Sequence, residues 1–142
     1  MSAALSDGPT DAPTVVPVKA DSDVVRVRQF VRDVALAARL SLVDQTKLVT
    51  AASELARNTL VYGGGGEAAV RVVQRGAVTG VEVVFTDSGP GIADVDLALT
   101  DGWTSGSGLG LGLSGTKRLV DEFDLKTAPG AGTSVTIVKW KR

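Results

Sequence analysis

From Asp23 to Leu40 the residues Val24, Val27, Val31, Val34, Ala35 and Ala38 recur at intervals of three and four, with Arg26, Arg28, Arg32 and Asp33 between them. That spacing lays the apolar side chains along one stripe of a helix. Ser41 to Asp44 interrupts the pattern, and a second helix is predicted from Asp44, as its N-cap, to about Val61, with Leu48, Ala52, Leu55 and Thr59 as its core stripe. Tyr62 and the glycines Gly63 to Gly66 end it. Upstream, Thr14 to Lys19 is β-branched and apolar but holds Pro17, which cannot donate to a sheet ladder and so marks an edge strand. Ala68 to Arg75 and Gly80 to Thr86 are valine-rich and joined by Gly76 to Thr79, which predicts a hairpin. Further on, Asp94 to Leu99 is expected as a short helix and Asp101 to Gly112 as a loop, while Leu119, Val120 and Phe123 put Ser114 to Phe123 in helical register. Asp124 to Thr127 and Thr133 to Trp140 then close a second hairpin around Pro129 and Gly130.

The order strand, helix, helix, two strands, glycine loop, helix, two strands predicts an α+β fold: a two-layer α/β sandwich with helices on one face of a mixed, mainly antiparallel sheet. The 142 residues fit one domain, expected over 14–142. Residues 1–13, rich in Ser, Ala, Asp, Gly and Pro, are expected to form a disordered tail, since they bring too little apolar surface to offset the entropy of ordering.

Composition narrows the chemistry. Neither cysteine nor histidine is present, which excludes disulfides, thiolate nucleophiles, Cys- or His-ligated metals, Ser-His-Asp triads and a phosphohistidine within the chain. A net charge of -1 gives no field to draw in nucleic acid. No apolar run reaches the roughly 18 residues of a membrane span, and the N-terminus lacks the basic and apolar regions of a signal peptide. The expectation is a cytoplasmic protein that binds neither nucleic acid nor membrane.

Four segments carry candidate chemistry. Glu54 and Asn58, four apart, share one helix face, a pairing that alone describes many solvated helices. Asp87-Ser88-Gly89-Pro90-Gly91 sets a carboxylate at a strand end beside two glycines that permit close backbone approach, although the same residues suit a plain turn. Gly106 to Leu113 alternates glycine with other residues ahead of a helix, leaving amide N–H groups open to phosphate. Gly130-Ala131-Gly132-Thr133 enters the last strand and by itself reads as a hairpin turn. The glycine run also produces two false matches. Gly110-x-Gly112-x-x-Gly115 has no strand leading into it and no complete βαβ unit after it, and Gly110-x-x-x-x-Gly115-Thr116-Lys117 has threonine and lysine in the wrong order for a P-loop.

Taken together, E-L-A-R-N, D-S-G-P-G, G-S-G-L-G-L-G-L and G-T, in this order, resemble the asparagine box, the two glycine boxes and the terminal Gly-Thr motif of the GHKL ATP-binding superfamily, over about Asp21 to Trp140. The block from S-E-L-A-R-N through D-G-W-T, G-L-G-L-G-L and K-R-L-V-D-E-F looks most like the small anti-sigma and switch serine kinases of the RsbT type. The resemblance implies a Bergerat-type ATP-binding fold with ATP and Mg²⁺ as cofactors. It implies that Asn58 coordinates Mg²⁺, that Asp87 accepts from the adenine amino group, and that Gly89 and Gly91 let the purine lie against backbone. Gly108, Leu109, Gly110, Leu111 and Gly112 would form the lid over the phosphates, Thr133 would support the adenine contact, and Glu54 is the family's general base. Arg57 and Lys117 are the nearest cations in sequence, and Trp103 fits either a lid or a partner surface.

With no histidine and no room for a histidine-bearing domain, the resemblance implies a serine/threonine kinase acting in trans, part of a bacterial partner-switching stress-response module. Its implied substrate is a STAS-domain antagonist or scaffold protein, after which it would engage and activate a PPM-type phosphatase. The alternative is an anti-sigma factor that sequesters a sigma factor in a nucleotide-dependent manner.

Overall fold

The computed structural model describes residues 7–9, 12–92 and 112–142. The strands are β1 (Asp7–Pro9), β2 (Thr14–Val18), β3 (Gly66–Arg75), β4 (Val78–Asp87), β5 (Glu122–Thr127) and β6 (Thr133–Trp140). The helices are α1 (Asp21–Ala37), α2 (Leu42–Val61) and α3 (Gly112–Leu119). In the sheet, β1 and β2 lie one after the other along the free edge of β3, followed by β4, β6 and β5.

Every described pairing is antiparallel, so the mixed component expected of the sheet is not among them. The connections explain this. Two helices run out and back between β2 and β3, so β3 starts where β2 ends, with Val18 opposite Gly66. β4 and β5 do run in the same direction, but β6 lies between them and pairs antiparallel with both. Within the stretch expected to be a disordered tail, Asp7–Pro9 pairs with Val73 to Arg75 of β3. An open strand edge offers backbone hydrogen bonds whatever side chains the partner brings.

Alternation decides which sheet residues face the helices. Val16 and Val18, Ala68 and Val70, Val81, Val83 and Phe85, and Val135 and Ile137 form the inner face, against Val24, Val27, Val31 and Ala35 of α1 and Leu48, Ala52 and Leu55 of α2. Thr59 completes the predicted α2 stripe: it is buried, and its hydroxyl donates to Leu55 O at 2.9 Å. The glycines after α2 divide by cause. Gly64 and Gly65 have φ of +74° and +105°, whereas a Cβ on Gly66 would fall 2.0 Å from Thr86 O and 2.9 Å from Thr59 Cγ2.

Among the boundaries that differ from the sequence reading, two have their cause in distant contacts. The α2 N-cap is Ser41, whose hydroxyl accepts from Asp44 N at 3.1 Å, and not Asp44. The Asp44 carboxylate is buried and lies 3.6 Å from Lys139 Nζ and 3.8 Å from Arg142 Nε, so it is committed to the C-terminal strand. Likewise the helix expected to reach Phe123 stops at Leu119. Asp121 draws the chain into the sheet, its N–H donating to Val138 O at 2.9 Å and its carboxylate accepting from Trp140 N at 2.7 Å.

Candidate functional site

The inner face of the sheet ends in a row of four residues, Gly66, Asp87, Thr133 and Thr127, each the register partner of the next. Opposed residues on one face have Cβ atoms about 5 Å apart. The row therefore sets a carboxylate between a closely packed glycine on one side and two hydroxyls on the other.

Asp87 is fixed by its own turn. Its Oδ1 accepts the Gly89 N–H at 2.8 Å, and Oδ2 has no partner among the described residues. Gly63, just past the end of α2, lies against this side chain, for a Cβ there would fall 2.4 Å from Asp87 Cγ and 2.5 Å from Oδ2. Gly63 N donates back to Asn58 O at 3.1 Å, so the asparagine's helical turn and the carboxylate's strand meet through one glycine.

Asn58 and Glu54 lie one and two turns further back along α2, both half-buried. Neither side chain has a hydrogen bond or ion pair among the described residues. Half-buried polar groups with no partner among the described residues, on one helix face, are candidates for a ligand contact. Alongside, α3 packs on α2 with Leu113, Ser114 and Thr116 buried, and Gly112 opens α3 at a φ of +69°.

Gly89 and Gly91 serve a backbone approach, but the neighbours they meet are protein. A Cβ on Gly89 would fall 2.8 Å from Gly63 Cα, and one on Gly91, with φ of +76°, 2.0 Å from Ala128 O. The Asp87–Gly91 turn is thus clamped onto the β5–β6 turn, with Gly130 N donating to Pro90 O at 2.6 Å and Ile92 N to Thr127 Oγ1 at 2.9 Å. Thr133 meets the same threonine, oxygen to oxygen, at 3.0 Å. Behind the row, a hollow of about 360 Å³ touches Asp87, Thr127 and Thr133 and is bordered by Lys126, Ser134 and Thr86 of the outer face.

The structure therefore brings together Asn58, Asp87, Gly89, Gly91 and Thr133, with Glu54 one turn beyond on the same helix face. Gly108, Leu109, Gly110, Leu111, Trp103 and the short helix expected over 94–99 lie outside the described residues. Arg57 and Lys117 are both exposed and form no ion pair among the described residues. Sequence reasoning missed Gly63, read as a helix terminator, and Thr127, read as strand. The one signal for either was the four-glycine run, which is longer than a helix stop requires.

Comparison with known proteins bears on the family and the fold. Residues 43–142 match the family model for the histidine kinase-, DNA gyrase B- and HSP90-like ATPases. The chain is 40% identical over 127 residues to the serine/threonine-protein kinase RsbT of Bacillus subtilis (strain 168), covering 89% of this chain and 96% of that protein. Among solved structures, the RsbU and RsbW domains of Rv1364c from Mycobacterium tuberculosis superpose with a TM-score of 0.62 at 19% identity. That match covers 93% of this chain but 33% of the other, and it bears on the fold alone. With a family model over most of its length and an RsbT relative matched nearly end to end, the chain belongs to the histidine kinase-, DNA gyrase B- and HSP90-like ATPase family, in its RsbT-like serine/threonine-protein kinase branch.

Proposed function

We infer that this protein transfers the γ-phosphoryl group of ATP to a serine or threonine hydroxyl of a STAS-domain partner, and that it then engages and activates a PPM-type phosphatase. The observation that carries the reading is the pairing of a half-fastened carboxylate, Asp87, with an α2 face whose Glu54 and Asn58 have no hydrogen bond or ion pair among the described residues. The donor set fits a purine nucleotide. Asp87 Oδ2 is an open acceptor for an amino group, and the Asn58 amide oxygen is a hard ligand of the kind Mg²⁺ takes alongside phosphate and water.

Asp87 and Thr133 would hold the base, and Asn58 would hold Mg²⁺. The metal's contribution when bound is to neutralise charge on the phosphate oxygens. Glu54 accepts the proton of the incoming hydroxyl while that oxygen bonds to the γ-phosphorus and the bond to the β–γ bridging oxygen breaks, leaving ADP. The new phosphate places about -1.5 to -2 charges at the partner's surface, which repels the kinase and frees it for the phosphatase. In this reading residues 14–142 are the kinase domain, residues 1–13 are an appended tail, and the protein works in the cytoplasm.

Incubation with γ-labelled ATP and the STAS partner should label the partner, and Glu54→Ala should lower the rate about 100-fold or more while still binding ATP. An unlabelled partner in the presence of bound ATP overturns the kinase reading, and stable capture of a sigma factor would put sequestration in its place.

A further inference from the structure

The hydrogen bonds of Thr127 leave only one assignment of protons. Its hydroxyl oxygen accepts from Ile92 N at 2.9 Å, lies 3.0 Å from Gly132 O and lies 3.0 Å from Thr133 Oγ1. A carbonyl oxygen cannot donate, so the single Thr127 proton goes to Gly132 O. The proton in the contact between the two threonines must then come from Thr133. With it spent, Thr133 presents only lone pairs to anything beside it. Its register partner Asp87 has one oxygen taken by Gly89 N–H and the other without a partner among the described residues, so the side chains at the end of the row offer two acceptors and no donor.

We propose that Thr127 is a positioning and specificity-determining residue, which by fixing the Thr133 hydroxyl as an acceptor makes this site select a purine with an amino group at C6 over one with a carbonyl there. The inference rests on the nucleotide reading of the site. A C6 amino group supplies N–H donors to both acceptors, whereas a C6 carbonyl sets a third acceptor against them, and the N1–H that accompanies it can satisfy at most one. Thr127 itself need not touch the base. It acts through Thr133, and its contact with Ile92 ties that proton arrangement to the turn that carries Asp87.

Calorimetric titration of ATP and inosine triphosphate, which differ only at C6 and in the proton that N1 carries beside the carbonyl, into wild type, Thr127→Val and Thr127→Ser tests this. Wild type should prefer ATP at least about tenfold, the value of roughly one hydrogen bond left unmade. Thr127→Val frees the Thr133 proton to rotate and donate, so ATP should weaken, inosine triphosphate should hold or tighten, and the preference should fall to within about threefold. Thr127→Ser restores the hydroxyl and should restore the preference. A purely structural role would weaken both nucleotides alike and leave their ratio unchanged, which would overturn the proposal. So would equal binding of the two by wild type. Thr127→Ala provides a second removal of the hydroxyl if the valine variant does not melt cooperatively. Wild type that binds neither nucleotide would refute the nucleotide reading itself, and the role of Thr127 with it.

Discussion

Lys139 is a charged side chain on the inner face of the sheet, 4% exposed, with Nζ 3.6 Å from Asp44 Oδ1 and 3.4 Å from Asp121 Oδ1. Asp44 is itself only 8% exposed. At an effective dielectric of about 20, a unit-charge pair at such a separation gains about 4–5 kcal/mol. Desolvation costs several kcal/mol per ion, so the intact cluster is close to neutral for stability. Removing the cation alone is a different matter. In Lys139→Met two carboxylates lose the cation they share, and among the described residues Arg142, 65% exposed, is the cation left to offset them. The expected loss is about 3–5 kcal/mol, or a fall in Tm of about 10–17 °C at the usual sensitivity for a chain of this size. Urea denaturation by circular dichroism reads the loss. Adding Asp44→Leu to the same variant should recover at least half of it, since an apolar replacement removes the stranded charge. ATP affinity should not change, because Lys139 pairs with Val81 while the site lies at the opposite end of β4 and β6. Lys139→Met within about 1 kcal/mol of wild type would refute the claim that this ion cluster is buried and dry.

Gly66→Ala should cost about 2–3 kcal/mol or prevent folding, because its Cβ would meet the carbonyl of Thr86 at 2.0 Å and neither strand can give way; a melting temperature equal to wild type contradicts the close approach. Gly64→Ala, where a Cβ meets nothing within 4 Å, should cost about 1 kcal/mol, from its positive φ alone. Acid should destabilise the fold through two carboxyls held below their ordinary value of 3.8. The N–H of Lys19 lowers Asp23, with further help from Ala20 and Arg26. Burial alone would raise Asp121, but the N–H of Trp140 together with Lys139 and Arg142 outweighs it. A carboxyl depressed in the folded state stabilises above its unfolded pKa and loses that contribution as pH falls through the folded value. Urea midpoints should therefore be flat from about pH 7 to 5 and drop below about pH 4, with a shallower drop in Asp23→Asn.

The helix stripes were legible because burial imposes periodicity: Val24, Val27 and Val31 on α1 and Leu48, Ala52 and Leu55 on α2 are all buried as their spacing predicts. Pairing that depends on distant residues was not. Asp44 has the chemistry of an N-cap, and only its approach to Lys139 shows why Ser41 takes that place. Phe123 fits a helical register locally, yet Asp121 binds the backbone of Trp140 and turns the chain into a strand. At the site, the order of four motifs located the carboxylate, the asparagine and the terminal threonine. The sequence does not show that Gly63 seats Asp87 or that Ile92 binds Thr127, because each joins residues distant along the chain, and the Thr127 bonds to Gly132 and Thr133 depend on the geometry of the turn between them. A threonine at a strand end is explained well enough by β-propensity to attract no notice.

The central claim is that Asp87 holds the base of ATP. Asp87→Asn changes the carboxylate to an amide of nearly the same shape, which still accepts through one oxygen but turns an N–H₂ donor toward Gly89 or toward the ligand. Calorimetric titration of Mg²⁺-ATP into both proteins measures the difference. The account predicts that wild type binds and that Asp87→Asn, still folded by thermal melt, binds at least about tenfold more weakly. Equal affinity in the two proteins would contradict it.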